Sequence, residues 1–255
     1  MKTAFLITAR LKSTRLPKKI ILEVQGKPLI IHMINRIRHA KNINKIIICT
    51  STNAQDDPLE EIANQQKIDC YRGSEDDVIQ RLLDAAKKFH LNYFANMTAD
   101  VPMIDPFLID EIIESYNKLS VDLVYPENDC FGACYIFKVS SLEKVCKTKN
   151  DTNTENWEKL FTSNREIKIH IFKVKSEGKN KFLKTSLDYF EDYIFIKKVF
   201  KELYKNNKIF SNFDIVDLIK NKPNIAKINS DDVHLKRWKN HYQLGQIFGR
   251  LYDNL

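Results

Sequence analysis

Ala4-Phe5-Leu6-Ile7-Thr8-Ala9-Arg10-Leu11-Lys12-Ser13-Thr14-Arg15-Leu16-Pro17-Lys18-Lys19 sets an apolar run directly against a cationic loop. The run Ala4–Thr8 reads as a buried first strand, short and without polar alternation. In an open α/β sheet, ligands bind outside the carboxyl ends of the strands, where this loop begins. Cations crowded so closely repel one another unless a polyanion joins them. A nucleoside triphosphate answers that need. Arg10 and Arg15 offer planar forks to phosphate oxygens, and Lys19 a compact point charge. Ser13 and Thr14 add hydroxyl donors. A merely solvated basic loop is the plain alternative. The loop's position between a hydrophobic strand and the amphipathic run Pro28–Ala40 favours phosphate. It contains no glycine, so it is not a G-x-x-x-x-G-K-[ST] loop.

Outward from this stretch, strand and helix patterns alternate. Helix is expected over Pro28–Ala40, where Leu29, Ile30, Met33, Ile34 and Ile37 share a face, and strand over Lys45–Thr50. Asn53–Asp57 offers caps before a helix through Leu59, Ile62 and Ala63. A short strand Asp69–Arg72, a helix Asp77–Phe89, a strand Tyr93–Met97 and a helix Phe107–Leu119 follow. This alternation predicts an α/β fold with a doubly wound, mostly parallel sheet. Further on, Ala133–Lys138 and Lys168–Val174 read as strands, with an exposed loop over Lys147–Asn156 between them. Helices are expected at Tyr189–Tyr204, Asp214–Lys220 and Val233–Tyr252. Residues 1–230 read as one domain with an inserted flap at roughly 126–180. Residues 231–255 read as a C-terminal helical extension.

The 255 residues suffice for one sizeable core, and 43% hydrophobic with 29% charged residues is ordinary for a soluble globular chain. The net charge of +8 favours anionic ligands, but lysine is scattered along the chain and no basic-aromatic nucleic-acid motif appears. Cys130 and Cys134 have no second pair or histidine at zinc spacing. The odd set Cys49, Cys70, Cys130, Cys134 and Cys146 fits reduced thiols in a cytoplasm. Neither a leader pattern nor a bilayer-length apolar run is present, so neither membrane nor nucleic acid is an expected partner.

A bound triphosphate needs a divalent metal to react, and Mg²⁺ takes one or two carboxylates beside phosphate oxygens. Asp100, in Thr98-Ala99-Asp100-Val101-Pro102, lies just past an apolar run at a strand's carboxyl end. Asp105, before Pro106, suits helix capping better. Asp188 admits two readings, as a metal carboxylate or as a cap paired with Glu191 three residues on. Arg72-Gly73-Ser74 follows a strand. Glycine there permits close approach to a flat ligand, and backbone amides can read a base edge. Ser74 equally suits the cap of the next helix.

Arg10-x-x-Ser13-Thr14-Arg15-Leu16-Pro17-x-Lys19 followed by Gly26-Lys27-Pro28-Leu29 resembles the signature of the sugar-activating cytidylyltransferases. That group includes the 3-deoxy-manno-octulosonate and acylneuraminate enzymes. The likeness is greatest to the branch associated with spore-coat polysaccharide. It extends through Thr52-Asn53-x-x-Asp56-Asp57-Pro58, Arg72-Gly73-Ser74-Glu75-Asp76-Asp77-Val78 and Asp100-x-Pro102-x-Ile104-Asp105-Pro106, thins after Tyr125 and resumes at Leu187–Asp192. The resemblance implies a Rossmann-like sheet, a homodimer formed partly by the flap, and CTP with Mg²⁺ as donor. It implies triphosphate contacts at Arg10, Ser13, Arg15 and Lys19, and metal carboxylates at Asp100 and Asp188. Ala99 stands where the family often has glycine. The Arg-Glu-His phrase of many relatives is not evident near Asn153–Trp157, the region that would meet the acceptor.

The expected reaction is nucleotidyl transfer, with Arg15, Lys19 and Asp100 as its catalytic groups. The acceptor is a sugar acid, giving a CMP-sugar for surface polysaccharide, or a phosphorylated or phosphonate compound, for which Lys12, Lys18 and Lys27 supply extra charge. A non-catalytic nucleotide-binding protein is the third reading, and the pairing of Asp100 with the cationic loop argues against it.

Overall fold

The computed structural model describes residues 3–127, 132–174, 184–205 and 208–230. In chain order the first half runs β1 (Thr3–Thr8), β2 (Glu23–Val24), β3 (Lys27–Pro28), α1 (Leu29–Ile37), β4 (Ile43–Ser51), α2 (Asp57–Gln65), β5 (Asp69–Gly73), α3 (Val78–Lys88), β6 (Tyr93–Thr98) and α4 (Pro106–Asn117). The second half runs β7 (Leu123–Pro126), β8 (Tyr135–Lys138), α5 (Val139–Thr148), α6 (Glu158–Thr162), β9 (Ile169–Phe172), α7 (Phe190–Leu203), α8 (Asn212–Asn221) and α9 (Pro223–Ala226).

Among the described residues one seven-stranded sheet has the order β5-β4-β1-β6-β8-β7-β9. β1 pairs in parallel with β4 on one side and β6 on the other, and β8 alone runs against its neighbours. Phe5, Leu6 and Ile7 are wholly buried, because helices cover both faces of a parallel sheet. Winding departs from β1 in two directions, so β1 and β6 flank the topological switch point, where such sheets open a crevice at their carboxyl edge. The sheet expected from the alternation is therefore present.

The stretch 126–180 behaves differently from a flap where it is described. β8 fills the gap between β6 and β7, and β9 pairs in parallel with β7, so both belong to the central sheet. Lys147–Asn156, expected as an exposed loop, begins inside α5, a helix whose Val139, Leu142 and Val145 spacing passes unremarked among polar neighbours. The remainder is the exposed loop expected, pinned at Thr154, which is 1% exposed and bonds Asp76, Asp77 and Ile79. The expected helix Val233–Tyr252 lies outside the described residues.

Among the described residues there are two apolar cores. The larger packs the sheet against α1 to α5. The smaller joins α7, α8 and α9 to Val24, Leu29, Met103 and Leu187. Arg36 of α1 bolts them together: its Nε donates to Ile104 O at 2.6 Å, its Nη2 to Phe210 O at 2.7 Å, and its guanidinium lies 4.3 Å over the Phe210 ring. Burial pulls the Arg36 pKa down to about 10, which leaves it charged at neutral pH. Between β2 and β3, Gln25 (φ 50°) and Gly26 (φ 71°) both take left-handed backbone, the arrangement that closes a tight hairpin.

Candidate active site

The cationic loop leaves the end of β1, and Asp100 leaves the end of its neighbour β6. Lys19 Nζ contacts Asp100 Oδ2 at 2.7 Å and Asp188 Oδ1 at 3.1 Å. Arg15 Nη2 reaches the same Asp188 oxygen at 2.7 Å, with its guanidinium 5.5 Å from the Tyr189 ring. Thr98 Oγ1 donates to Asp100 Oδ1 at 2.5 Å, and Leu187 N donates to Asp100 O at 2.8 Å. The last bond ties the segment carrying Asp188 to the loop carrying Asp100. Arg15, Lys19, Asp100 and Asp188 are thus brought together in one network.

The capping alternative for Asp188 gives way to a neighbour. α7 is capped by Tyr189, and Asp192, wholly buried, accepts from the amides of Asp188 and Tyr189, both at 2.9 Å. The cap sits one residue later than the Asp188–Glu191 spacing implied, which leaves the Asp188 carboxylate for the cations. Lys184 joins it at 3.1 Å on Oδ2 and also bonds Asp192. Burial pushes the Asp188 carboxyl up, but Lys19, Lys184 and Arg15 together outweigh it and hold its pKa below the ordinary value. Nothing in the sequence marks Lys184, because its four-residue spacing to Asp188 falls outside a helix.

The remaining predicted residues divide. Arg10 pairs with Glu155, an acid the sequence reading passed over. Ser13 Oγ accepts from Leu16 N at 3.3 Å and shapes the loop, while Thr14 is exposed at its tip. The loop's start is set by buried Asp56, whose Oδ1 accepts from Leu11 N at 2.7 Å. Asp56 lies in the Thr52–Pro58 phrase but reads there only as a cap. Arg72 is not gathered with the others. Its guanidinium bonds Ser51 O and Asn53 O, both at 2.9 Å, and Asp57 and Glu60 of α2, so it fastens β5 to its scaffold. Ser74 is not the cap of α3. Asp77 is, accepting from Gln80 N at 3.3 Å, and Ser74 Oγ accepts from Asp77 N at 3.0 Å.

Glu75 continues the 73–77 loop and ties it to the cationic loop: Lys12 Nζ lies 3.2 Å from Oε2, while Gln55 Nε2 donates to Oε1 at 3.0 Å. The 73–77 loop and the cationic loop are therefore stitched together. Among the described residues no three His, Cys, Asp or Glu side chains gather to hold a metal by themselves. Asp100 and Asp188 nonetheless already face one shared positive charge, the Lys19 ammonium, with oxygen donors only. Two carboxylates completed by phosphate oxygens and water fit Mg²⁺.

The family model described as cytidylyltransferase matches residues 4–233. The chain belongs to the cytidylyltransferase family. As a cytidylyltransferase it is an enzyme of the nucleotidyl-transferring kind. A cytidylyltransferase from Leptospira borgpetersenii has a similar structure, with TM-score 0.81 and 27% identity over 90% of this chain and 98% of that one. A CMP:2-keto-3-deoxy-manno-octonic acid synthetase solved with CTP shares the fold at TM-score 0.64 and 16% identity, over 79% of this chain and 99% of its own. An uncharacterized protein of Methanocaldococcus jannaschii is 27% identical over 91% of this cytidylyltransferase and 96% of its own length. The spore coat polysaccharide biosynthesis protein SpsF of Bacillus subtilis is 31% identical over 51% of this chain and 56% of its own length.

Proposed function

We propose that this cytidylyltransferase transfers CMP from CTP to a sugar acid in a Mg²⁺-dependent reaction, forming a CMP-sugar and pyrophosphate. The observation that carries the reading is the sharing of Lys19 by Asp100 and Asp188, with Arg15 on the same carboxylate. An acceptor oxygen attacks the α-phosphorus in line, the bond to the β-phosphate bridging oxygen breaks, and the acceptor's proton passes to water. Asp100 and Asp188 would hold Mg²⁺, whose charge offsets that on the α-phosphate and lowers the acceptor hydroxyl's pKa. Arg15 and Lys19 neutralise the departing pyrophosphate, and Arg10 turns from Glu155 to the triphosphate. Ser13 and Thr14 donate to phosphate oxygens. Gly73 and Ser74 lie on the base side, where the Glu75 and Asp76 backbone amides bind the cytosine edge. Positioning and charge do most of the work, since phosphoryl transfer requires little covalent help from protein. A 3-deoxy-manno-octulosonate cytidylyltransferase of Geobacter metallireducens, 27% identical over 44% of this chain and 44% of its own length, supports a sugar acid as acceptor, and the spore-coat relative supports a polysaccharide as its destination.

The reading includes a cytoplasmic homodimer with residues 1–230 as its catalytic domain. No helix among the described residues is long and apolar enough to cross a membrane. Pyrophosphate release, measured across ulosonic acids and phosphorylated acceptors, tests the proposal. The wild type is expected to turn over only with CTP, Mg²⁺ and a sugar acid. Asp100→Asn is expected to lose at least about 100-fold in kcat while its Tm barely moves. Turnover confined to phosphorylated acceptors, or CTP binding without turnover on any acceptor, would overturn it.

A further inference from the structure

α3 begins directly after the 73–77 loop, and its second turn carries Arg81 back beneath that loop. Arg81 is 1% exposed. Its Nη1 donates to the carbonyl oxygens of both Ser74 and Glu75, the second at 3.1 Å. Its stem lies on Gly73, where a methyl group would stand 3.1 Å from Arg81 Cγ and 3.0 Å from Tyr71 Cε1. Gly73 is therefore small in order to admit Arg81 and Tyr71, a packing reason distinct from close approach to a ligand.

This arginine is expensive to keep. Burial pushes its pKa down and nearby Arg10 adds to the effect, while its buried Nε has no partner among the described residues. An apolar side chain of similar length would fill the space without a desolvated charge. Stability alone does not account for it; the backbone it holds does. In a trans peptide the N–H points opposite to the preceding residue's C=O, and the described residues contain no cis bond. With the Ser74 and Glu75 carbonyls turned onto Arg81, the N–H groups of Glu75 and Asp76 turn to the opposite side. Among the described residues neither N–H has a hydrogen-bond partner.

We infer that Arg81 is a positioning residue that aims the Glu75 and Asp76 amides at the pyrimidine and so selects cytosine over uracil. Cytosine presents adjacent acceptors, O2 and N3, to two donors, whereas uracil carries a proton on N3 and leaves one donor opposed. A site built to hydrogen-bond one partner rejects the other through the group left unpaired. The inference rests on CTP being the donor and adds the residue that sets the choice.

Arg81→Met and Arg81→Lys test it, with CTP, UTP and tripolyphosphate titrated by calorimetry and amide exchange followed over residues 73–77 without nucleotide. Arg81→Met is expected to exchange faster in this loop, to bind CTP at least tenfold more weakly and to lose most of its CTP-over-UTP preference. Its tripolyphosphate affinity should match wild type, because Arg10, Arg15 and Lys19 are untouched. Arg81→Lys, which keeps a donor, should recover part of the preference. Preference for CTP in the wild type that survives in Arg81→Met overturns the inference alone, as does equal loss of tripolyphosphate binding. A wild type with no preference for CTP overturns the CTP reading itself, and the inference with it.

Discussion

Asp188 shows how one side chain's role depends on which neighbour takes the routine work. Its spacing to Glu191 has the form of a cap, and its position after an extended segment suits a ligand, so the sequence leaves both open. Asp192 takes the backbone amides, and the Asp188 carboxylate is left to Lys19, Arg15 and Lys184. Arg10 has the opposite history. Its place after β1 suggests a phosphate ligand, and in the structure its partner, Glu155, comes from a loop that only the fold brings near. A partly exposed ion pair of this kind contributes about 1 kcal/mol or less. In the proposed reaction the triphosphate displaces Glu155 to reach Arg10. Glu155→Gln is therefore expected to lower the KM for CTP by about two- to fivefold with kcat nearly unchanged, read from initial rates.

At the level of elements, the strands and helices of the first half were legible because apolar runs and helical periods there are long and cleanly punctuated. β8 was legible as a strand, but its place inside the sheet was not, because pairing between β6 and β7 is long-range and leaves no local mark. α5 was missed although its apolar spacing was present. The approach to β8 depends on Gly132, whose carbonyl accepts from Asp105 N at 3.0 Å. Its φ of 62° favours glycine, and a methyl group there would stand 2.8 Å from Ile104 Cα. Backbone rather than a flexible side chain blocks the space. Gly132→Ala is expected to destabilise the protein by about 2 kcal/mol in denaturant unfolding, and to disturb the loop that carries Asp100 more than the distant β4–β5 edge.

Across the whole molecule, the site lies on a seam between two cores. Asp100 extends from the sheet core, while Asp188 follows Leu187 of the helical core, so the carboxylates meet only when the cores are docked. His32 reports on that docking. Buried on α1, it donates from Nε2 to Val24 O at 2.7 Å and packs 4.5 Å from Phe200 and 5.2 Å from Tyr204, with Lys27 and Arg36 as neighbouring charges. Burial holds its pKa below the ordinary value of 6.5, an effect the Val24 bond only partly opposes. The unfolded chain therefore takes up the proton first. The stability associated with neutral His32 is full above about pH 6.5 and declines as pH falls toward the lower folded value. Tm is expected to drop across that window in the wild type and to drop less in His32→Gln, as followed by calorimetry. The sequence by itself determined the α/β alternation, the cationic loop and Asp100, because apolar period, charge density and strand ends are local properties of a chain. Only the tertiary structure decided that Asp188 faces Lys19, that Arg72 serves the scaffold and that Arg81 lies beneath the 73–77 loop. Those outcomes depend on contacts between segments far apart in sequence, whose geometry no local pattern encodes.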